Sequence, residues 1–262
     1  MTANRWAGGD AYEGWIGRWS REVAPRFLDW LAIPAGGRWV DVGCGTGALT
    51  ATILAYASPA SVLGVDPSAD FVEHARATIP DDRARFETGS ADALPVRSAS
   101  VDAAVAGLVL NFVPDVPAAL AEMHRIVRPG GRVGAYVWDY RDGMEIIRRY
   151  WEAAAAIDPG GVAAAGAELF PICDNGALAT AFRAAGLGDV DDRAIEIPAV
   201  FADFEDYWRP FLSGIGPAPG FNVRLDDARR AAVRDRLQAT LPTQSDRSIR
   251  LTARAWAARG LA

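Results

Sequence analysis

The chain is predicted to fold as an α/β protein built on a doubly wound, mostly parallel sheet. Three observations predict it. From residue 38 onward, short apolar runs alternate with segments of helical period; the run at 101–108 is continuously apolar, as a strand buried on both faces is; and a glycine-rich turn follows the first run. Half of the 262 residues are hydrophobic and 23% are charged, which suits one domain with a full core and argues against global disorder.

Taken in order, Tyr12, Trp15, Trp19, Val23, Phe27, Trp30 and Leu31 recur at helical spacing and predict one or two amino-terminal helices. A strand follows at 38–42, a helix at 48–57, a strand at 61–65, a helix at 69–78 and a short strand at 84–88. After the strand at 101–108 comes a helix at 117–127, with proline in its first turn. Pro129, Gly130 and Gly131 are expected to end that helix and turn into a fifth strand at 132–137. The last third carries helices at 144–157 and 175–185 and strands at 190–200 and 248–257. Between those strands lie residues 203–212, a Gly/Pro-rich turn at 213–220 and a charged helix at 226–239. The expected organisation is a single domain over 1–262. Its parts are a helical start (1–35), a core (36–140), the second half of the fold (141–200), an inserted helical lid (201–243) and the last strand (244–262).

Residues 40–50 read VDVGCGTGALT, and Asp66 closes the next apolar run, VLGVDPS. A strand that runs into three glycines and then a helix, beside a second strand tipped by a carboxylate, suits a nucleotide-like ligand. Glycines admit close backbone approach, and an acid there can accept from both hydroxyls of a ribose. The glycines alone do not choose the ligand. Gly43, Gly45 and Ala48 also satisfy the G-x-G-x-x-[GA] dinucleotide pattern, so an NAD(P)-dependent oxidoreductase is a rival reading.

The loop DVGCGTG resembles the first motif of class I S-adenosylmethionine (SAM)-dependent methyltransferases. Three later features fall in that family's order: Asp66, the GSADALP segment at 89–95, and VDAAVAGLVLNFVPD at 101–115 followed by RIVRPGG. The similarity spans about residues 36–140 and is closest to the UbiE-like small-molecule branch. It implies a seven-stranded Rossmann-like sheet whose last two strands form an antiparallel edge, with SAM as cofactor and S-adenosylhomocysteine (SAH) as product.

Residue by residue, the resemblance implies that Gly43, Cys44, Gly45 and Gly47 approach the cofactor, while Asp41 orients the loop and the methionine amino group. Asp66, with Pro67 and Ser68, would hold the ribose; Ala91, Asp92 and Ala93 would read the adenine; Ala106, Gly107 and Leu108 would pass the methionine part. Blander roles stand beside these. Asp66 can simply cap the helix after it, Asp92 can be a surface turn acid, and the glycines can mark tight turns.

UbiE-like relatives often carry histidine in the stretch matching LNFV, where this chain has Asn111 and Phe112. His74 and His124 fall within predicted helices and read as structural, so no catalytic residue is assigned. Methyl transfer tolerates that absence, because alignment of nucleophile and methyl carbon can supply about 7–11 kcal/mol. A base is required only where the nucleophile must lose a proton. For the acceptor, Tyr12, Trp15, Trp19, Asn111, Trp138, Phe204, Tyr207 and Trp208 are candidates to enclose a small apolar or aromatic molecule; the rings can equally pack helices.

A formal charge of −6 argues against a nucleic-acid partner. No apolar run reaches the length of a membrane span and the first residues lack a signal-peptide core, so a cytoplasmic protein is expected. Cys44 and Cys173 make no disulfide framework, and no metal-ligand spacing is present, so no metal is expected. The reading is therefore a methyltransferase acting on a small molecule. The alternatives are the oxidoreductase and a non-catalytic or protein-directed SAM-binding protein; oligomeric state is left open.

Overall fold

The computed structural model describes residues 18–165, 170–214 and 216–262. By their contacts these fall into two compact units. A sheet unit comprises 20–138, 171–195 and 255–262, and a helical unit comprises 18–19, 139–170 and 196–254.

The sheet unit begins with α1 (Arg18–Leu31), which also supplies the first two residues to the other unit. Then come β1 (Arg38–Val42), α2 (Ala48–Tyr56), β2 (Ser61–Asp66), α3 (Ala69–Thr78), β3 (Ala84–Thr88), β4 (Val101–Gly107), α4 (Val116–Ile126) and β5 (Val127–Trp138). The helices α5 (Glu145–Ile157) and α6 (Pro159–Ala165) belong to the helical unit, and α7 (Ala177–Ala184) returns to the sheet unit. Strands β6 (Gly188–Phe201) and β7 (Ile249–Leu261) run through both, with α8 (Phe204–Trp208), α9 (Pro217–Arg224) and α10 (Asp227–Thr240) between them.

The strand order is β3-β2-β1-β4-β5-β7-β6. Strands β1 to β5 pair in parallel, and β7 runs antiparallel to β5, with Arg132 opposite Leu261 and Trp138 opposite Ala255. The expected doubly wound sheet with an antiparallel carboxy-terminal strand is therefore present. Its order reverses between β1 and β4, and an open α/β sheet binds ligands beyond the carboxyl ends of the strands at such a point.

Local chemistry accounts for most boundaries. Ser68 caps α3 by accepting from Phe71 N, and Asp115 caps α4 by accepting from Ala118 N. The buried strand β4 reads VDAAVAG because flanking helices cover both faces. Gly134 lets α1 lie directly on β5: a methyl there would stand 2.7 Å from Leu31 and 2.9 Å from Phe27. Phe27 in turn meets Tyr136 at a ring separation of 4.8 Å.

Two expectations are corrected. Pro129-Gly130-Gly131 does not form a turn before the fifth strand; β5 begins at Val127 and the three residues bulge within it. The register jumps from Val101 opposite Val127 to Ala103 opposite Arg132, which Gly130 permits at φ +75°. Ala262 stabilises the bulge, since Gly130 N donates to Ala262 O and Ala262 N to Gly131 O. The Gly/Pro-rich stretch at 213–220 is not wholly a turn either. Helix α9 starts at Pro217, where a missing N–H costs nothing, and buries Ala218, Pro219, Phe221 and Asn222.

The helical unit takes in more than the 201–243 block, since α5 and α6 join it. Helices α5 and α10 pack on each other, and Tyr150 stacks on Phe211 at 4.4 Å. Asn222 is fully buried; its amide donates to Phe211 O at 3.1 Å and accepts from the Tyr150 hydroxyl at 3.1 Å. Asn222→Ala strands both partners in an apolar setting, so it is expected to lower unfolding free energy by about 2–4 kcal/mol, measured by urea denaturation.

Candidate functional site

The glycine loop leaves β1 at Val42 and is shaped by left-handed residues. Gly43, Gly45 and Gly47 stand at φ +70°, +54° and +91°. They differ in what surrounds them. A methyl on Gly43 would lie 2.4 Å from Val109, and one on Gly47 would lie 2.4 Å from Ile79, so those two are glycine for packing as well as conformation. A methyl on Gly45 would meet no atom within 4 Å. The loop is thus closed at its ends and open at its middle.

The tip of β2 holds that loop in place. Gly43 N and Cys44 N both donate to Val65 O, at 2.7 and 3.1 Å. The Asp66 carboxylate accepts from Gly45 N at 2.9 Å through Oδ2 and from Ser68 N at 2.8 Å through Oδ1. Asp66 therefore does cap the turn into α3, and each oxygen keeps acceptor capacity for a further hydroxyl. Burial raises its pKa above the ordinary carboxylate value, and the two backbone donors pull the other way.

Asp41 lies deeper, 1% exposed, and accepts from the Thr50 hydroxyl of α2 at 2.7 Å. Burial, opposed by that hydroxyl and reinforced by the charge of Asp66, pushes its pKa up to about 7. Cys44 turns its side chain under the loop against Val72, Ala75 and Phe86, and burial drives its thiol pKa upward, so its sulfur packs rather than reacts. Pro67 is exposed and Ser68 half-buried at the start of α3.

The segment after β3 forms the next wall. Gly89 N donates to Asp66 O at 3.1 Å, which ties this segment to the tip of β2. Asp92 is exposed and accepts from the Ser90 hydroxyl, while Ala91 and Ala93 flank it and Leu94 is buried. Sequence reasoning missed what holds the segment from behind, namely Glu122 and Arg125 of α4. Their i, i+3 spacing was visible, but it does not distinguish such a pair from any surface ion pair.

At the end of β4, Ala106 is buried and Gly107 makes room for its neighbours: a methyl there would lie 2.8 Å from the Tyr136 hydroxyl and 3.0 Å from Leu49. Leu108 takes φ +59° and stays buried, which breaks the strand and turns the chain aside. Asn111 follows in a short 3-10 turn, Leu110–Phe112, that packs on β5; its Nδ2 is buried with no hydrogen-bond partner among the described residues. Trp138 is 1% exposed at the carboxyl end of β5, and its Nε1 is likewise unpartnered. His124 Nδ1 lies 3.0 Å from Ala185 O, and His74 is exposed on α3.

The other acceptor candidates separate. Tyr12 and Trp15 lie outside the described residues. In the helical unit, Trp19 packs edge-on to Phe201 at 5.3 Å, and Tyr207 is fully buried with its hydroxyl donating to Ile146 O at 2.9 Å. Trp208 is buried and lies parallel to half-buried Phe204, over which the Arg234 guanidinium sits at 5.3 Å. Among the described residues no group of three or more His, Cys, Asp or Glu is placed to hold a metal.

Sheet order and loop geometry together define a nucleotide-type cofactor cleft at the carboxyl ends of β1, β2 and β4. Comparison with known proteins decides which class of protein carries it. Residues 40–134 match the family described as Methyltransferase domain. The chain is 32% identical over 181 residues to a demethylmenaquinone methyltransferase of Roseiflexus, covering 64% of this chain and 75% of that one. It is 36% identical over 118 residues to an uncharacterized methyltransferase of Mycobacterium tuberculosis, and there it spans less than half of the relative, 46%.

Among solved structures, a protein of Anaeromyxobacter dehalogenans aligns over 95% of both chains with a TM-score of 0.63 and 21% identity. A phosphoethanolamine N-methyltransferase of Haemonchus contortus, solved with SAH, aligns over 96% of this chain and 56% of its own with a TM-score of 0.56 and 15% identity. At those identities the structures speak for the fold. The chain belongs to the SAM-dependent methyltransferases, with that family's class I seven-stranded sheet and with SAM as cofactor. This settles the glycine loop against the nicotinamide reading.

The residues present suit that cofactor. The open face of Gly45 leaves space for a ligand to lie against the backbone, the Asp66 oxygens can accept ribose hydroxyls, and Asp41 is a buried acid that would favour a cationic amino group. Two predictions follow from the loop. Gly45→Ala adds left-handed strain of ~1–2 kcal/mol but no clash, so it is expected to fold and to bind SAH at least tenfold more weakly by calorimetry. Gly43→Ala adds a collision with branched Val109 to the same strain, and its thermal midpoint should fall well below that of Gly45→Ala.

The raised pKa of Asp41 supplies the third. The folded chain holds this proton more tightly than the unfolded chain, whose carboxyl titrates near 3.8. The stability from Asp41 is therefore complete at low pH and is lost as pH rises through about 7. Against Asp41→Asn, which does not titrate, the wild-type thermal midpoint should fall between about pH 4 and pH 7 and level off above that. A constant difference across that range would show that Asp41 is ionised throughout.

Proposed function

We propose that this chain transfers the methyl group of SAM to a small, apolar or aromatic acceptor by in-line displacement, mainly through proximity and orientation. The observation that carries the reading is the loop open at Gly45 and pinned to the Asp66 carboxylate. Bound SAM supplies a methyl group on a positively charged sulfonium, a leaving group already activated.

The chain's own part is placement. Asp66 and the Gly89–Ala93 segment hold the nucleoside end, Asp41 favours a cationic amino group at the other, and the left-handed turn at Leu108 directs the chain away from the cleft. Asn111 and Trp138 are the proposed acceptor-side contacts of the sheet unit, each with an N–H that meets no acceptor among the described residues. The Roseiflexus relative, named for demethylmenaquinone, supports an acceptor of the apolar ring class. Neither histidine supplies a base: one ring nitrogen of His124 lies against a carbonyl, and His74 faces solvent. A nucleophile that needs little help in losing a proton suits this site, and precise alignment then carries most of the rate.

The test uses SAM with an isotopically heavy methyl group, the purified protein and a fractionated cell extract, with Asp66→Ala as control. Label is expected in one small apolar metabolite and is expected to vanish with the variant. Label in protein or RNA would overturn the small-molecule acceptor. SAH binding with no transfer to any fraction would favour a non-catalytic SAM-binding role.

A further inference from the structure

We propose that Glu122 and Arg125 of α4 are a positioning pair that fixes the shape of the 89–96 segment and thereby sets how tightly and how selectively the adenine of SAM is held. The inference rests on the reading of Ala91, Asp92 and Ala93 as the adenine-side residues.

The segment has no regular structure to shape it. Its internal bonds are short-range: Ala93 N donates to Ser90 O at 3.2 Å, and Val96 N to Leu94 O at 2.7 Å. Both sides of its second half are instead gripped from α4. Leu94 N donates to Glu122 Oε2 at 2.9 Å, and the Arg125 guanidinium donates to Leu94 O at 3.3 Å and to Val96 O at 2.9 Å. Arg125 also reaches the Ser98 hydroxyl at 3.1 Å.

The two side chains lock each other. Arg125 Nε donates to Glu122 Oε1 at 2.5 Å and Nη2 to Oε2 at 2.7 Å, a bidentate arrangement that removes rotational freedom from both. Arg125 holds Glu122 below its ordinary carboxylate pKa, so the acceptor for Leu94 N stays charged through the neutral range. At its other end the segment is tied to Asp66 through Gly89 N. Adenine recognition by backbone edges and one short acid depends on where those edges stand, and they stand where this pair puts them.

Neither side chain needs to touch the cofactor. Loss of the pair should therefore weaken recognition of the base while leaving the rest of the cleft intact. Affinities for SAH and for S-inosylhomocysteine, which carries a carbonyl in place of the adenine amino group, separate that effect from a general loss of structure.

Wild-type protein is expected to prefer SAH at least tenfold. In Glu122→Ala and Arg125→Ala the SAH affinity should fall tenfold or more and the preference shrink to within threefold. Glu122→Gln keeps an acceptor oxygen for Leu94 N and should recover most of the preference; it also serves should the alanine variants fail to fold. Hydrogen exchange of the Leu94 amide reports the grip itself, and its protection should be lost in Glu122→Ala. If that protection is lost while SAH affinity and preference stay at wild-type values, the proposal is overturned and SAM binding at this cleft stands. If SAH and its inosine analogue lose affinity equally, the pair is merely structural. If wild-type protein and Asp92→Ala both fail to discriminate the two ligands, the adenine assignment itself is wrong.

Discussion

The bond from Gly45 N to the Asp66 carboxylate is the constraint on which the cleft depends. A loop of left-handed glycines has no intrinsic reason to keep one shape, because glycine loses more conformational freedom on ordering than any other residue. Here β1 and β2 lie side by side, so the loop leaving one passes the tip of the other, and a single acid reaches both the loop and the start of α3. Charge-assisted bonds from backbone donors to a carboxylate are stronger than neutral ones, and they leave the outer lone pairs of the oxygens available. The same group that orders the loop is thereby poised to receive a ligand's hydroxyls. Bracing the loop and the proposed contact with a ligand would be two uses of one carboxylate that do not compete.

Burial sets a cost against this arrangement. Asp41 and Asp66 lie close enough for each charge to oppose the other, and both are largely removed from water. Each acid has two donors, backbone N–H groups of Gly45 and Ser68 for Asp66 and the hydroxyl and backbone N–H of Thr50 for Asp41, so depth makes the difference, Asp41 being 1% exposed and Asp66 7%. The deeper acid is consequently the one whose pKa approaches neutrality. A cationic group brought near it would favour its charged form.

Much of this was legible in the sequence because the signals were local. Helix α3 spans the residues expected of it, since Ser68 caps it; β1 and β3 match as well, bounded by turn-forming residues. What escaped was tertiary. The Pro-Gly-Gly of β5 looks like a helix terminator until Ala262, distant in sequence, is brought beside it, which turns the same glycine conformation into a bulge. Helix α9 hides in a Gly/Pro-rich stretch because burial of Phe221 and Asn222, not propensity, stabilises it. Thr50, Glu122 and Arg125 carry no motif; each matters through a residue distant in sequence or seated on another element.

The aromatic residues teach the opposite lesson. Phe204, Tyr207 and Trp208 read as candidates to enclose an acceptor, yet the helical unit must build a core of its own. Phe201, Tyr207, Phe211 and Tyr150 pack ring against ring, at 5.2 Å for the first pair, 5.4 Å for the second and 4.4 Å between Tyr150 and Phe211. The two tyrosine hydroxyls in this cluster are bonded within it, Tyr207 to Ile146 O and Tyr150 to Asn222. A buried phenol whose hydroxyl already has a partner gains nothing by reaching for a ligand, and would lose that bond by doing so. Composition announces a hydrophobic requirement without saying whose it is. Among the described residues, Asn111 Nδ2 and Trp138 Nε1 differ from those phenols in having no hydrogen-bond partner, which is why the proposed acceptor contacts are drawn from them and not from the rings of that cluster.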